Sequence, residues 1–155
     1  MMKSLKALAV AAVVSVVSVV SVVSVAPMVA KAGDQQMIDE VLVILSSESL
    51  QTQGMAMVLS NTMAQKGAKV NVLLCDKAGD LALKAYDAPA LKPKDVTPGQ
   101  MLRGLLKQGG TANVCALYLP NSDYSQEDLL DGVGVATPPE MAEQMLNTEM
   151  RTFTF

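Results

Sequence analysis

Two thiols are the groups of this chain best suited to covalent chemistry. Cys75 and Cys115 are its only cysteines, and its 155 residues include no histidine and no tryptophan. Without histidine there is no Ser-His-Asp or Cys-His pair to activate a nucleophile, and no imidazole ligand for zinc, copper or haem. Cysteine needs no partner base, because a fraction of the thiol ionises near neutral pH and a nearby cation or helix N-terminus enlarges that fraction. Arg103 and Lys107 are the candidate cations. Cys75 is followed by Asp76, whose carboxylate raises the thiol pKa and weakens it as a nucleophile. A disulfide between the two cysteines stays open at this point, since pairing requires Cα atoms about 4.4–6.8 Å apart and sequence does not fix that separation.

Other constellations have simpler readings. Glu127, Asp128, Asp131, Glu140 and Glu143 include the paired carboxylates of glycoside chemistry, but helix caps and solvated faces account for them. Ser46-Ser47-Glu48 resembles a rim loop that could hold an anion, without the glycines of a phosphate cradle. The methionines beyond the N-terminal tract (Met37, Met55, Met57, Met63, Met101, Met141, Met145 and Met150) raise Cu(I) binding, with Met55-x-Met57 as the pair to test. Helical spacing places Met55 with Met63, and Met141 with Met145, on apolar faces, where core packing explains them.

Hydrophobic periodicity supplies the elements that must position the thiols. Val41–Leu45 is an apolar run without alternation, the pattern of a strand covered on both faces. A helix is expected from about Thr52 to Gln65, with Met55, Val58, Leu59 and Met63 on its buried face and Gly67 at its stop. Lys69–Cys75 reads as the second strand. The stretch 76–94 is irregular, with a short helix within Gly79–Tyr86 and with Pro89 and Pro93 as punctuation. Thr97 as N-cap and Pro98 at the first position open a helix carrying Met101, Leu102, Leu105 and Leu106, which ends at Gly109-Gly110. A third strand begins at Ala112-Asn113-Val114-Cys115, with room to continue through Leu119 until Pro120 ends it. Ser125–Asp128 reads as a capped turn and Val133–Ala136 as a fourth strand. Thr137-Pro138-Pro139-Glu140 is a capping box opening a helix to about Leu146, and Arg151–Phe155 is a final strand. Five strands separated by crossovers predict a three-layer α/β/α domain with a mainly parallel five-stranded sheet. Reactive groups gather at the carboxyl edge of such sheets, and that edge carries Ser46, Ser47, Glu48, Cys75, Asp76, Cys115 and Thr137.

The N-terminus has a different character. Half the chain is hydrophobic and its mean hydropathy is +0.31, a value raised by the tract from Leu5 to Val25, in which only Lys6 is charged. Lys3 and Lys6, the repeated Ser-Val-Val unit, Pro27 and the Ala30-Lys31-Ala32 site have the layout of a signal peptide, residues 1–32, with cleavage after Ala32. An uncleaved anchor over Ala7–Met28 is the rival, long enough to span a bilayer. The proline, the small-residue site and the polar Gly33-Asp34-Gln35-Gln36 favour cleavage. The expected product is one exported domain, 33–155, in the periplasm, with membrane contact only through the signal segment. Losing Lys3, Lys6 and Lys31 takes the net charge from −3 to −6. That acidic balance argues against a nucleic-acid partner.

One stretch carries a family likeness. Gly110-Thr111-Ala112-Asn113-Val114-Cys115-Ala116 resembles the cysteine-bearing strand of the DsrE/DsrF/TusD sulfur-relay proteins. Asp131-Gly132-Val133-Gly134-Val135-Ala136, the helix from Pro138 to Leu146 and Thr152-Phe153-Thr154-Phe155 follow in the family's order. Gly67-Ala68-Lys69-Val70-Asn71-Val72-Leu73-Leu74 resembles its second strand, so the likeness spans 38–155. It implies a DsrE-like fold and a carrier or sulfurtransferase that holds sulfane sulfur as a persulfide on Cys115 and passes it to a partner thiol. It also implies a homo-oligomer, trimeric or hexameric, with the cysteine near a subunit interface. The implied partners are sulfur donor and acceptor proteins or small sulfane-sulfur compounds, and the implied chemistry uses no cofactor and no metal. Three departures stand out. Pro120 and Asn121-Ser122-Asp123-Tyr124 replace the helical turn that often follows that cysteine. Cys75 has no counterpart in the relay pattern, which leaves it a possible secondary site. The export signal separates the chain from cytoplasmic tRNA thiolation. The rival functions are a small oligomeric ligand- or partner-binding module with structural cysteines and, third, a Cu(I)-binding Met/Cys protein.

Overall fold

The computed structural model describes residues 37–155; the expected signal peptide, residues 1–32, lies outside the described residues. Five strands, β1 (Glu40–Leu45), β2 (Lys69–Leu74), β3 (Thr111–Val114), β4 (Val133–Val135) and β5 (Met150–Thr154), form one sheet. Their order is β4-β3-β2-β1-β5 and every neighbouring pair is parallel. Helices α1 (Leu50–Gln65) and α2 (Pro98–Lys107) cover one face, and α3 (Pro138–Leu146) covers the other. The expected three-layer α/β architecture is the observed one.

Crossover handedness explains the unequal layers. From β1 to β4 each new strand is laid down on the same side of the last, so right-handed connections keep the intervening segments on one face. The chain then returns across the sheet to place β5 beside β1, and the reversed direction puts α3 on the opposite face. The thick side buries Val41, Val43, Leu45, Val70, Val72, Leu74, Ala112 and Val114 against Met57 of α1 and Leu102 and Leu105 of α2. The thin side buries only Leu42, Leu73 and Ala136, with Ile44, Cys75, Cys115, Met141 and Met150 packed against them.

The helix starts follow their caps. Thr97 and Gln100 form a reciprocal capping box, as do Thr137 and Glu140, with Pro98 and Pro138 in the first turns. In α1 the cap is Ser49, whose side chain accepts from the Thr52 N–H, so the helix begins before Thr52.

The buried face of α1 differs from the expected one. Met55, Val58 and Leu59 are exposed, whereas Gln53, Gly54, Ala56, Met57 and Ser60 are buried. Small or polar residues face inward where neighbours approach closely, and the Gln53 Oε1 is left buried without a partner. A side chain at Gly54 would collide with Leu91, Ser60 Oγ donates to the Ala56 carbonyl at 2.8 Å, and Gln53 Nε2 donates to the Ser47 carbonyl at 2.9 Å. This also removes the Met55-x-Met57 metal pair. Residues two apart on a helix do not face each other; Met57 is fully buried while Met55 is 55% exposed.

Two loop expectations are corrected as well. The segment after β2 is a 3-10 helix over Asp76–Ala82 rather than a helix within Gly79–Tyr86. Strand β3 does not run on to Leu119: the chain turns at once, the Tyr118 N–H donating to the Cys115 carbonyl at 2.8 Å, and a 3-10 turn follows over Leu119–Asn121. A helical turn therefore does follow Cys115, despite Pro120. Tyr118 draws the chain over Asp76–Ala82, with its ring against Gly79 and its hydroxyl donating to Asp80 Oδ1 at 2.7 Å.

Candidate functional site

Strand register brings the two cysteines together. Leu74 of β2 pairs with Val114 of β3, and the Cys115 N–H donates to the Leu74 carbonyl at 2.8 Å. Cys75 and Cys115 are each one residue further on, so they leave the sheet side by side at its carboxyl edge. Both side chains point to the α3 face, where they pack on the same small core. Adjacent parallel strands lie about 4.8 Å apart, inside the Cα separation a disulfide accepts. Both sulfurs are free thiols and both residues are half-buried.

The two thiols are not equivalent. Burial, then a hydrogen bond with Cys115, then the charges of Cys115 and Asp76, push the Cys75 thiol up to about 12. Asp76 acts in the direction expected from sequence and is the smallest of these causes. It also shapes the corner. Its φ of 49° is left-handed, a conformation that aspartate tolerates better than most residues. It turns the chain so that the Ala78 N–H can donate to the Cys75 carbonyl at 3.1 Å.

Cys115 opens onto a cleft of about 650 Å³. One wall is Asp76, Lys77 and Asp80; the other is Leu117, Tyr118 and the Asn121–Tyr124 segment. Cys75 does not line it. Leu117 is 70% exposed and forms an apolar lip, while Asn121 Nδ2 donates to its carbonyl at 2.7 Å and fixes the loop. Burial and the bond to Asp80 push the Tyr118 phenol above its ordinary range, so it remains a donor.

The remaining candidates lie elsewhere. Neither Arg103 nor Lys107 lines the cleft. Arg103 donates to the Lys84 carbonyl at 3.4 Å, and Lys107 ends α2, next to the amino end of β3 rather than the carboxyl end. The cation in the cleft is Lys77, which sequence reasoning missed although it stands two residues past Cys75. Tyr118 and Asp80 were missed too; only the fold joins them. Three of the acidic residues, Asp128, Glu140 and Asp131, serve as caps or in a surface pair. The Asp128 carboxylate accepts from the Ser125 N–H and hydroxyl at 2.8 and 2.9 Å, which holds its pKa down. Glu140 caps α3, and Asp131 pairs with Lys84 at 3.4 Å. Ser46 Oγ donates to the Phe155 carbonyl at 3.4 Å and closes the edge between β1 and β5.

The five-stranded parallel sheet with helices on both faces is a three-layer α/β fold. Solved structures share it, among them the following two. The structure is similar to the crystal structure of the ychN protein from E. coli, with a TM-score of 0.59 and 23% identity, over 77% of this chain and 100% of that one. It is also similar to MTH1491 from Methanobacterium thermoautotrophicum, described as a protein of unknown function, with a TM-score of 0.59 and 15% identity, over 75% of this chain and 98% of that one. No protein-family model and no curated protein matches the chain.

Proposed function

We propose that this protein is a periplasmic sulfur carrier that holds sulfane sulfur as a persulfide on Cys115 and passes it to the thiol of a partner. The observation that carries this reading is the position of Cys115: at the carboxyl edge of β3 in a DsrE-like fold, open to a cleft with Lys77 on its wall. A role in packing alone leaves that opening without a use.

The chemistry needs nothing beyond the thiol. The Cys115 thiolate attacks the outer sulfur of a persulfide or polysulfide, one S–S bond forms as another breaks, and the donor leaves as its thiolate or a shorter polysulfide. Handover repeats the exchange: the partner thiolate attacks the outer sulfur held on Cys115, and Cys115 departs as thiolate. No net oxidation occurs. The Lys77 ammonium lines the same cleft as Cys115, alongside the carboxylates of Asp76, Asp80 and Asp123, and the Leu117 lip offers apolar contact to an incoming protein.

Trimeric or hexameric self-association belongs to the same proposal, with Leu117 at the cleft and Met55, Val58 and Leu59 on α1 as exposed apolar surface. Periplasmic location rests on the N-terminal sequence. The test is sulfur loading. Reduced Cys75→Ser protein treated with polysulfide should gain one sulfur by intact mass, and the Cys75→Ser/Cys115→Ser double variant should gain none. A Cys115 that takes up no sulfur and resists alkylation would support the binding module with structural cysteines instead.

A further inference from the structure

We propose that Cys75 is the resolving thiol of this site: it displaces the sulfur of a Cys115 persulfide as hydrosulfide and closes a Cys75–Cys115 disulfide, which an external dithiol reductant reopens. This inference rests on Cys115 carrying the persulfide, and it adds a second outcome for the loaded protein, release of sulfide.

The placement of the two sulfurs carries the argument. They are neighbours on adjacent strands, on one face of the sheet, with backbones already spaced for a bridge. Cys115 lines the cleft and Cys75 does not, so a donor arriving from solvent meets Cys115 first. Once loaded, the outer sulfur extends into the cleft while the inner sulfur, Cys115 Sγ, stays beside Cys75. The atom within reach of Cys75 is therefore the inner one, and attack there expels the outer sulfur.

The step balances. The Cys75 thiol gives up its proton, a bond forms between the two Sγ atoms, and the bond from Cys115 Sγ to the outer sulfur breaks. The electron pair and a proton leave with that sulfur as hydrosulfide. The sulfane sulfur is reduced and the two cysteines are oxidised together. Hydrosulfide is a weaker base than an alkyl thiolate and so the better leaving group. Burial of Cys75 and the neighbouring Asp76 carboxylate keep its thiolate scarce and make this branch slow, which leaves time for handover to a partner thiol; discharge follows when no partner arrives.

The experiment charges the reduced full chain with a small alkyl persulfide, removes the donor by rapid desalting, and follows intact mass after acid quench alongside released sulfide. The wild type should lose its added sulfur, become two hydrogens lighter than the reduced protein, and release one sulfide for each disulfide formed. Cys75→Ser, and Cys75→Ala as a second variant, should keep the added sulfur about tenfold longer and release no matching sulfide. Equal persistence in the wild type and both variants, with no disulfide, would overturn the resolving role and leave the carrier intact. Equally fast sulfide loss from all three would overturn it too, by placing the attacking thiol elsewhere. If no version takes up sulfur, both proposals fall.

Discussion

Alkylation of the reduced protein by iodoacetamide, followed residue by residue across pH, reads the surroundings of Cys75. A thiol at the ordinary value of 9.0 is half ionised at pH 9, whereas one raised to about 12 is ionised in about one molecule per thousand. Because only the thiolate reacts, Cys75 should alkylate at pH 9 about 500-fold more slowly, relative to its own alkaline plateau, than an unperturbed thiol. Replacing Cys115 with alanine removes two of the four causes, the hydrogen bond and the neighbouring charge, and leaves burial and Asp76. The Cys75 titration should then move down from about 12 but stay above 9. The sign of the linked stability follows. The folded chain holds a proton that the unfolded chain releases, so stability is full below pH 9 and falls as pH rises toward 12. A Cys75 midpoint near 9 in the wild type, or one that ignores Cys115→Ala, would refute this account of the site.

Two further substitutions test the packing that holds the cleft in place. Gly79→Ala sets a methyl against the Tyr118 ring, 2.8 Å from its Cζ. It should lower stability by about 1–3 kcal/mol in denaturant unfolding as the Tyr118–Asp80 bond is lost. Met57→Ala should lose about 2–5 kcal/mol in the same assay, as expected of a fully buried side chain, whereas Met55→Ala should stay within about 0.5 kcal/mol.

Much of this fold was readable from sequence because the sheet is built from short apolar strands and each helix opens with a local signal. Thr97-Pro98 and Thr137-Pro138 fix helix starts through contacts three residues long, and Gly109-Gly110 separates α2 from β3, so these elements fall close to where periodicity places them. The inward face of α1 was not readable. Gln53, Gly54 and Ser60 lack apolar character: Gly54 is covered by Leu91, far along the chain, while Gln53 and Ser60 donate to the nearby carbonyls of Ser47 and Ala56. The cleft behaved in the same way. Cys115 stands out as a strand-end thiol, but its nearness to Cys75 depends on β2 and β3 being neighbours, which strand count does not decide. The Tyr118–Asp80 bond likewise joins residues distant in sequence.

Side-chain alternation along a strand gives the thiol pair a dependence on parity. Cys75 and Cys115 share a face because each sits an even number of positions from a neighbour that points the same way: Leu73 on β2 and Asn113 on β3. One residue inserted into either strand upstream of its cysteine would rotate that sulfur through the sheet to the opposite side. An insertion of two would restore the facing but slide one sulfur along its strand, away from the other. Their partnership therefore survives only when both strands keep their length, although neither cysteine lies inside the strand that sets its position.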